Sequence, residues 1–210
     1  MAIMSLCYTF NMTKTELPIK IAVVGARNTA EFGSVESMEQ ARFLGKKIAE
    51  SKCVLNTPAT FGFPLWVADG AKRAGGFVVG FSPAANEREH LDVYKLSIDH
   101  VDLLVPTGFG FGGSDLIMSR SSDAVIVGFG GVETIHEFAV AFLENRPIGI
   151  LKGDWRTDDI LKEILEHDID RDHENIVIDD DPTRLVDQIV KKAKQFRSNS
   201  ATICSDIRTS

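Results

Sequence analysis

Short runs of aliphatic and β-branched residues alternate along this chain with segments whose apolar positions recur at helical spacing. That alternation is the mark of stacked βαβ units around a parallel sheet. The apolar runs predict strands at residues 19–24, 53–57, 77–81, 101–106, 123–128, 148–151 and 175–178. The periodic segments predict helices at residues 35–51, 63–74, 114–121, 132–144, 157–167 and 182–196. Ser34 suits an N-cap, Gly75 and Gly76 close the second helix, and Pro182 sits where a missing N–H is harmless. The run 123–128 is the most hydrophobic and is expected near the sheet centre. The expected fold is α/β: a doubly wound parallel sheet (Rossmann-like), a single domain of about seven strands with helices on both faces. Residues 19–196 carry it, with a flexible N-terminal extension over 1–18 and a fraying tail over 197–210.

Hydrophobic residues at 44% of 210 supply enough material for a core, which excludes a disordered chain. A net charge of -7 removes the electrostatic basis for binding nucleic acid or an anionic membrane. Cys7, Cys53 and Cys204 show neither CxxC spacing nor an even count, so no disulfide framework or zinc site is indicated. Cys53 reads as a small buried hydrophobe. With no basic leader and no run of about 18 apolar residues, the expected setting is the cytoplasm. Neither a metal nor a cofactor is called for.

In an open parallel sheet, ligands bind beyond the carboxyl ends of the strands, at the point where strand order reverses. Three glycine clusters fall at such ends: Gly25 with Gly33, residues 108–113 including Gly112 and Gly113, and Gly128 with Gly130 and Gly131. The last runs straight from a buried strand into a helix start, where backbone N–H groups and the helix dipole favour an anion. Thr134 can add its hydroxyl there, and Glu137 lies one turn beyond Glu133 on the same face. Arg27, in the first βα loop, either meets a phosphate or carboxylate there or is an ordinary surface arginine. Phe109 and Phe111 either stack on a base or fill space beneath their loop. His90, His100, His167 and His173 have no ligand spacing and are read as solvated or capping. The acidic runs 168–172 and 179–181 are read as turns, the second charging a helix start.

Residues 119–127, Ser-Arg-Ser-Ser-Asp-Ala-Val-Ile-Val, followed by Gly130, Gly131, Thr134 and Glu137, resemble the core of the LOG (Lonely Guy) family. These "lysine decarboxylase-like" proteins belong to a wider Rossmann superfamily that includes DprA-like proteins. The segment 69–80, Asp-Gly-Ala-Lys-Arg-Ala-Gly-Gly-Phe-Val-Val-Gly, resembles a second family segment, and the likeness spans residues 19–150. The resemblance implies phosphoribohydrolase chemistry: cleavage of a nucleoside 5′-monophosphate into base and ribose 5-phosphate. In the family's PGGxGTxxE motif the loop holds phosphate and the glutamate serves the reaction, which carries over to Gly130, Gly131, Thr134 and, as catalytic residue, Glu137. An oxocarbenium-like transition state makes a carboxylate beside the ribose sensible.

Three departures follow from the same comparison. Phe129 stands for the motif's proline and Glu133 for its last glycine. A carboxylate about 4 Å from a phosphate repels it by about 4 kcal/mol per charge pair at an effective dielectric near 20. The family's helix arginine falls at Ser114 or Asp115, where there is none, and Arg120 matches a different, more structural arginine. The glycine-rich GGGxxGxM after the second strand keeps only Gly62. The expected ligand set is therefore Gly25, Arg27, Gly112, Gly113, Ser114, Arg120, Gly128, Gly130, Gly131, Glu133 and Thr134, with no metal. These residues favour a protein that binds a nucleotide or nucleotide-like small molecule without full hydrolase activity. An intact phosphoribohydrolase, or a carrier similar to molybdenum-cofactor carriers, are the alternatives. The family resemblance also implies a homodimer.

Overall fold

In a computed structural model, residues 17–28, 34–168 and 173–207 are described, with side chains as far as Asn199. Gly33, Cys7 and most of the acidic run 168–172 lie outside the described residues. Seven parallel strands form one sheet: β1 (Lys20–Val24), β2 (Val54–Thr57), β3 (Phe77–Ser82), β4 (Leu103–Pro106), β5 (Ala124–Val127), β6 (Ile148–Leu151) and β7 (Ile176–Asp179). Their order is β4-β3-β2-β1-β5-β6-β7. Helices α1 (Val35–Glu50), α2 (Phe63–Arg73), α3 (Glu87–Asp92), α4 (Gly110–Ser121), α5 (Val132–Leu143), α6 (Thr157–His167) and α7 (Pro182–Ile207) complete the domain.

Alternate residues of the central strands feed two separate cores. Ile21, Val23 and Ile126 face α1, α2 and α7, while Ala22, Val24, Val125 and Val127 face α4, α5 and α6. Burial on both faces is why these strands read as unbroken apolar runs. The chain builds outward from β1 to β4, then crosses back to lay β5 beside β1, pairing Ile21 with Ala124 through Val24 with Val127. That reversal opens the crevice at the carboxyl ends of β1 and β5.

Helices α1 and α2 meet backbone to backbone. A Cβ on Gly45 would lie 1.9 Å from the Val67 carbonyl oxygen, and one on Gly70 would lie 1.9 Å from that of Arg42. Ser34 caps α1 as expected, accepting from the Ser37 N–H at 3.2 Å. Asp181 likewise accepts from the N–H groups of Thr183 and Arg184 at the start of α7.

The structure adds to the sequence reading in three places. Helix α3 was not expected; Asn86 caps it by accepting from Glu89 N–H at 2.9 Å, while Glu89 accepts from Ala85 N–H at 2.9 Å. This helix carries His90 inward, where Nδ1 shares a hydrogen bond of 2.8 Å with Ser82 Oγ, so His90 is buried rather than solvated. Helix α4 begins at Gly110, which places Gly112 and Gly113 in its first turn rather than in a loop. Helix α7 runs past Phe196 to Ile207. Among the described residues no helix is long and apolar enough to cross a membrane.

The close approach of α1 and α2 sets a test. Gly45→Ala should lower stability by about 3 kcal/mol, since the added methyl overlaps backbone that cannot swing aside. Urea denaturation followed by circular dichroism measures it.

Candidate functional site

Three loops meet above the carboxyl ends of β1, β2 and β5. Ala26 joins them: its N–H donates to the Phe129 carbonyl at 2.7 Å, and its own carbonyl accepts from Phe63 N–H at 2.9 Å. Gly62, retained from the second family motif, has φ +78 and no space for a Cβ, which would fall 2.1 Å from the Ala26 oxygen. Phe129, standing for the motif's proline, is fully buried among Phe63, Trp66 and Trp155, with ring centroids 5.1, 6.1 and 5.4 Å away. The loop after β5 is thus anchored from beneath by an aromatic cluster. Gly25 and Gly128 are drawn against the same Phe63 ring, where a Cβ would come within 2.8 and 2.2 Å.

The expected phosphate loop has an internal occupant. Gly130 N–H donates to Thr157 Oγ1 at 2.8 Å, and that hydroxyl lies 2.8 Å from the Gly130 carbonyl oxygen. Gly131 is the N-cap of α5 and provides no side-chain cap. Thr134 is buried beneath Gly130, and its Oγ1 has no hydrogen-bond partner among the described residues. Glu133, in the same first turn, is exposed.

Beside this loop, Arg27 reaches from the end of β1 to two helices. Its Nη2 lies 2.9 Å from both Asp115 oxygens on α4 and 3.0 Å from Glu137 Oε1 on α5. Its guanidinium stands 4.5 Å above the centroid of Phe111, whose edge meets Tyr94 at 5.6 Å. His136 Nδ1 lies 3.7 Å from Asp115. Glu137 is 1% exposed, and its Oε2, like Arg27 Nε, lacks a partner among the described residues. Burial first, and the neighbouring Asp115 charge second, push the Glu137 carboxyl up to about 8 despite Arg27. Burial also raises Asp115 against the pull of Arg27. Arg27 therefore pairs with Asp115 beside a Glu137 carboxyl whose burial favours the protonated form.

Other expected ligand residues lie elsewhere or serve the fold. Arg120 is exposed in the last turn of α4, 3.5 Å from Glu144, away from the Arg27 cluster at the start of that helix. Ser114 is buried and donates to the Phe111 carbonyl at 2.9 Å. Gly112 and Gly113 belong to α4, with Phe109 packed against Gly113 and 71% exposed. In the sequence Asp115 stands out only as a position without the family's arginine. The helix that lacks the family's arginine instead carries an acid that receives Arg27 from β1, and that reversed pair was the available signal.

The pattern of one protein family matches residues 18–186. The chain belongs to the SLOG cluster4 family. This places it in the superfamily of LOG-like and DprA-like Rossmann proteins. An uncharacterised protein of Archaeoglobus fulgidus is 33% identical over 134 residues, covering 64% of this chain and 80% of that one. The molybdenum cofactor carrier protein of Chlamydomonas reinhardtii is similar in structure, with TM-score 0.64, 25% identity and coverage of 84% and 99%. The molybdenum cofactor binding protein of Rippkaea orientalis has the same fold, with TM-score 0.67, 24% identity and coverage of 84% and 98%.

Two outcomes follow from the Arg27–Asp115–Glu137 cluster. The folded chain keeps a proton on Glu137 that the unfolded chain releases between its ordinary value of 4.5 and about 8, so this residue's contribution to stability falls as pH rises across that window. Glu137→Gln should therefore gain stability relative to the parent between pH 5 and pH 8 in urea titrations. Arg27→Met leaves Asp115 buried and unpaired, an expected loss of about 3 kcal/mol. Part of it should return in the Arg27→Met/Asp115→Asn double variant.

Proposed function

We propose that this SLOG protein binds a small nucleotide or nucleotide-like ligand in the crevice between the loops after β1 and β5, and holds it without full phosphoribohydrolase activity. The observation that carries the proposal is the Arg27–Asp115–Glu137 cluster at the strand-order reversal. Three buried polar atoms lie in and beside it without partners among the described residues: Arg27 Nε, Thr134 Oγ1 and Glu137 Oε2. Buried polar groups are rarely left unpaired in folded chains, so such a concentration points to a ligand or ordered water that completes them. The likeness to a carrier and a binding protein for the molybdenum cofactor supports a holding role on this scaffold.

One observation favours a second reading. A buried carboxyl that keeps its proton at neutral pH is suited to general acid catalysis, and Glu137 is such a group. In a phosphoribohydrolase it would protonate the departing base.

Incubation of purified protein with nucleoside monophosphates, with chromatographic assay of free base, separates the two. The holding role predicts no base release, together with a thermal shift by a nucleoside or nucleotide that is lost in Gly131→Asp. Base release abolished by Glu137→Ala would establish the hydrolase instead.

A further inference from the structure

A phosphate monoester is held at a helix start by free backbone N–H groups and surplus positive charge, without a competing carboxylate. The loop after β5 departs from these conditions at one backbone N–H, in its balance of charge and by an added carboxylate. Thr157 Oγ1, buried at the start of α6, takes the Gly130 N–H at 2.8 Å and lies 2.8 Å from the Gly130 carbonyl, so both polar groups of that residue are already matched. Glu133 places an exposed carboxylate in the first turn of α5, where it satisfies the helix dipole itself. The charge of Arg27 is balanced by Asp115, both of whose oxygens lie 2.9 Å from Nη2. Drawing Arg27 towards a phosphate would strand Asp115, whose side chain is 4% exposed.

The polar atoms that remain suit an uncharged partner. Thr134 Oγ1 and Glu137 Oε2 are buried and without partners among the described residues. A hydroxyl and a protonated carboxyl can each donate and accept, which matches the mixed donor–acceptor edge of an amide-containing heterocycle. At the start of α4, Phe109 and Phe111 expose aromatic surface, and flat rings stack on such faces.

We propose that this site selects a nucleoside-like heteroaromatic ligand that carries no phosphate where it meets the loop after β5, and discriminates against the corresponding 5′-monophosphate. This rests on the reading of the crevice as a ligand site and specifies what that site accepts. Thr157 and Glu133 set the preference: the first by occupying the Gly130 N–H, the second by its charge.

Isothermal titration of the full chain with adenosine, guanosine and their 5′-monophosphates at fixed ionic strength tests it, with inorganic phosphate as competitor. The expected result is that a nucleoside binds at least as tightly as its monophosphate and is not displaced by excess inorganic phosphate. In Glu133→Gln, which removes an exposed charge, the monophosphate should gain on the nucleoside by about 3-fold, the scale of an exposed charge interaction. A monophosphate that binds the parent protein more tightly than its nucleoside, or a ratio unchanged in Glu133→Gln, would overturn the selectivity while leaving the crevice a ligand site. Binding of none of these compounds would overturn both.

Discussion

One guanidinium nitrogen, Nη2 of Arg27, meets carboxylates from two different helices, and the architecture of the crevice follows from that contact. Asp115 and Glu137 are both nearly devoid of solvent, so neither could remain charged there alone. The two acids also sit close enough for the charge on Asp115 to help hold the proton on Glu137. Arg27 meets both oxygens of Asp115, and burial favours the neutral form of Glu137. The second turns of α4 and α5 are tied through this residue to the loop after β1, across the strand-order reversal.

The surrounding loops hold the backbone next to Arg27 in place. Ala26, its neighbour, is bound on both sides by the loops after β2 and β5, and Gly62 exists as glycine because the Ala26 carbonyl fills the space a Cβ would need. Phe129 replaces a proline by a buried ring, and Thr157 satisfies the glycine that follows it. A SLOG scaffold is thereby retained while the groups facing the crevice differ in charge and in hydrogen-bond capacity from the LOG pattern.

Most of the fold was legible because its helices and strands are long enough to show their periods. The strands and the other six helices lie within a few residues of their expected positions, apart from the ends of α4 and α7. Helix α3 escaped because six residues cannot display a helical period; its only signal was Asn86 followed at cap spacing by Glu89. The inward turn of His90 was lost with it. The site was legible in part: Glu137, Thr134, Gly130 and Gly131 stand where the motif places them. Asp115 was not, since an acid matters here only through an arginine that is 88 residues away along the chain.

Local pattern alone determined the α/β class, the parallel sheet buried on both faces, and the glycine-rich turns at the carboxyl ends of β1 and β5. These follow from hydrophobic period and from glycines at strand ends, which are properties of neighbouring residues. Tertiary structure decided the state of the site. Whether Arg27 was a surface charge or the partner of two acids depended on which loops the sheet brought together. Whether Gly130 kept a free N–H depended on a threonine from the following βα unit, 27 residues on. Burial and pairing of charge are set by residues distant in sequence, and only the folded chain brings those residues into contact.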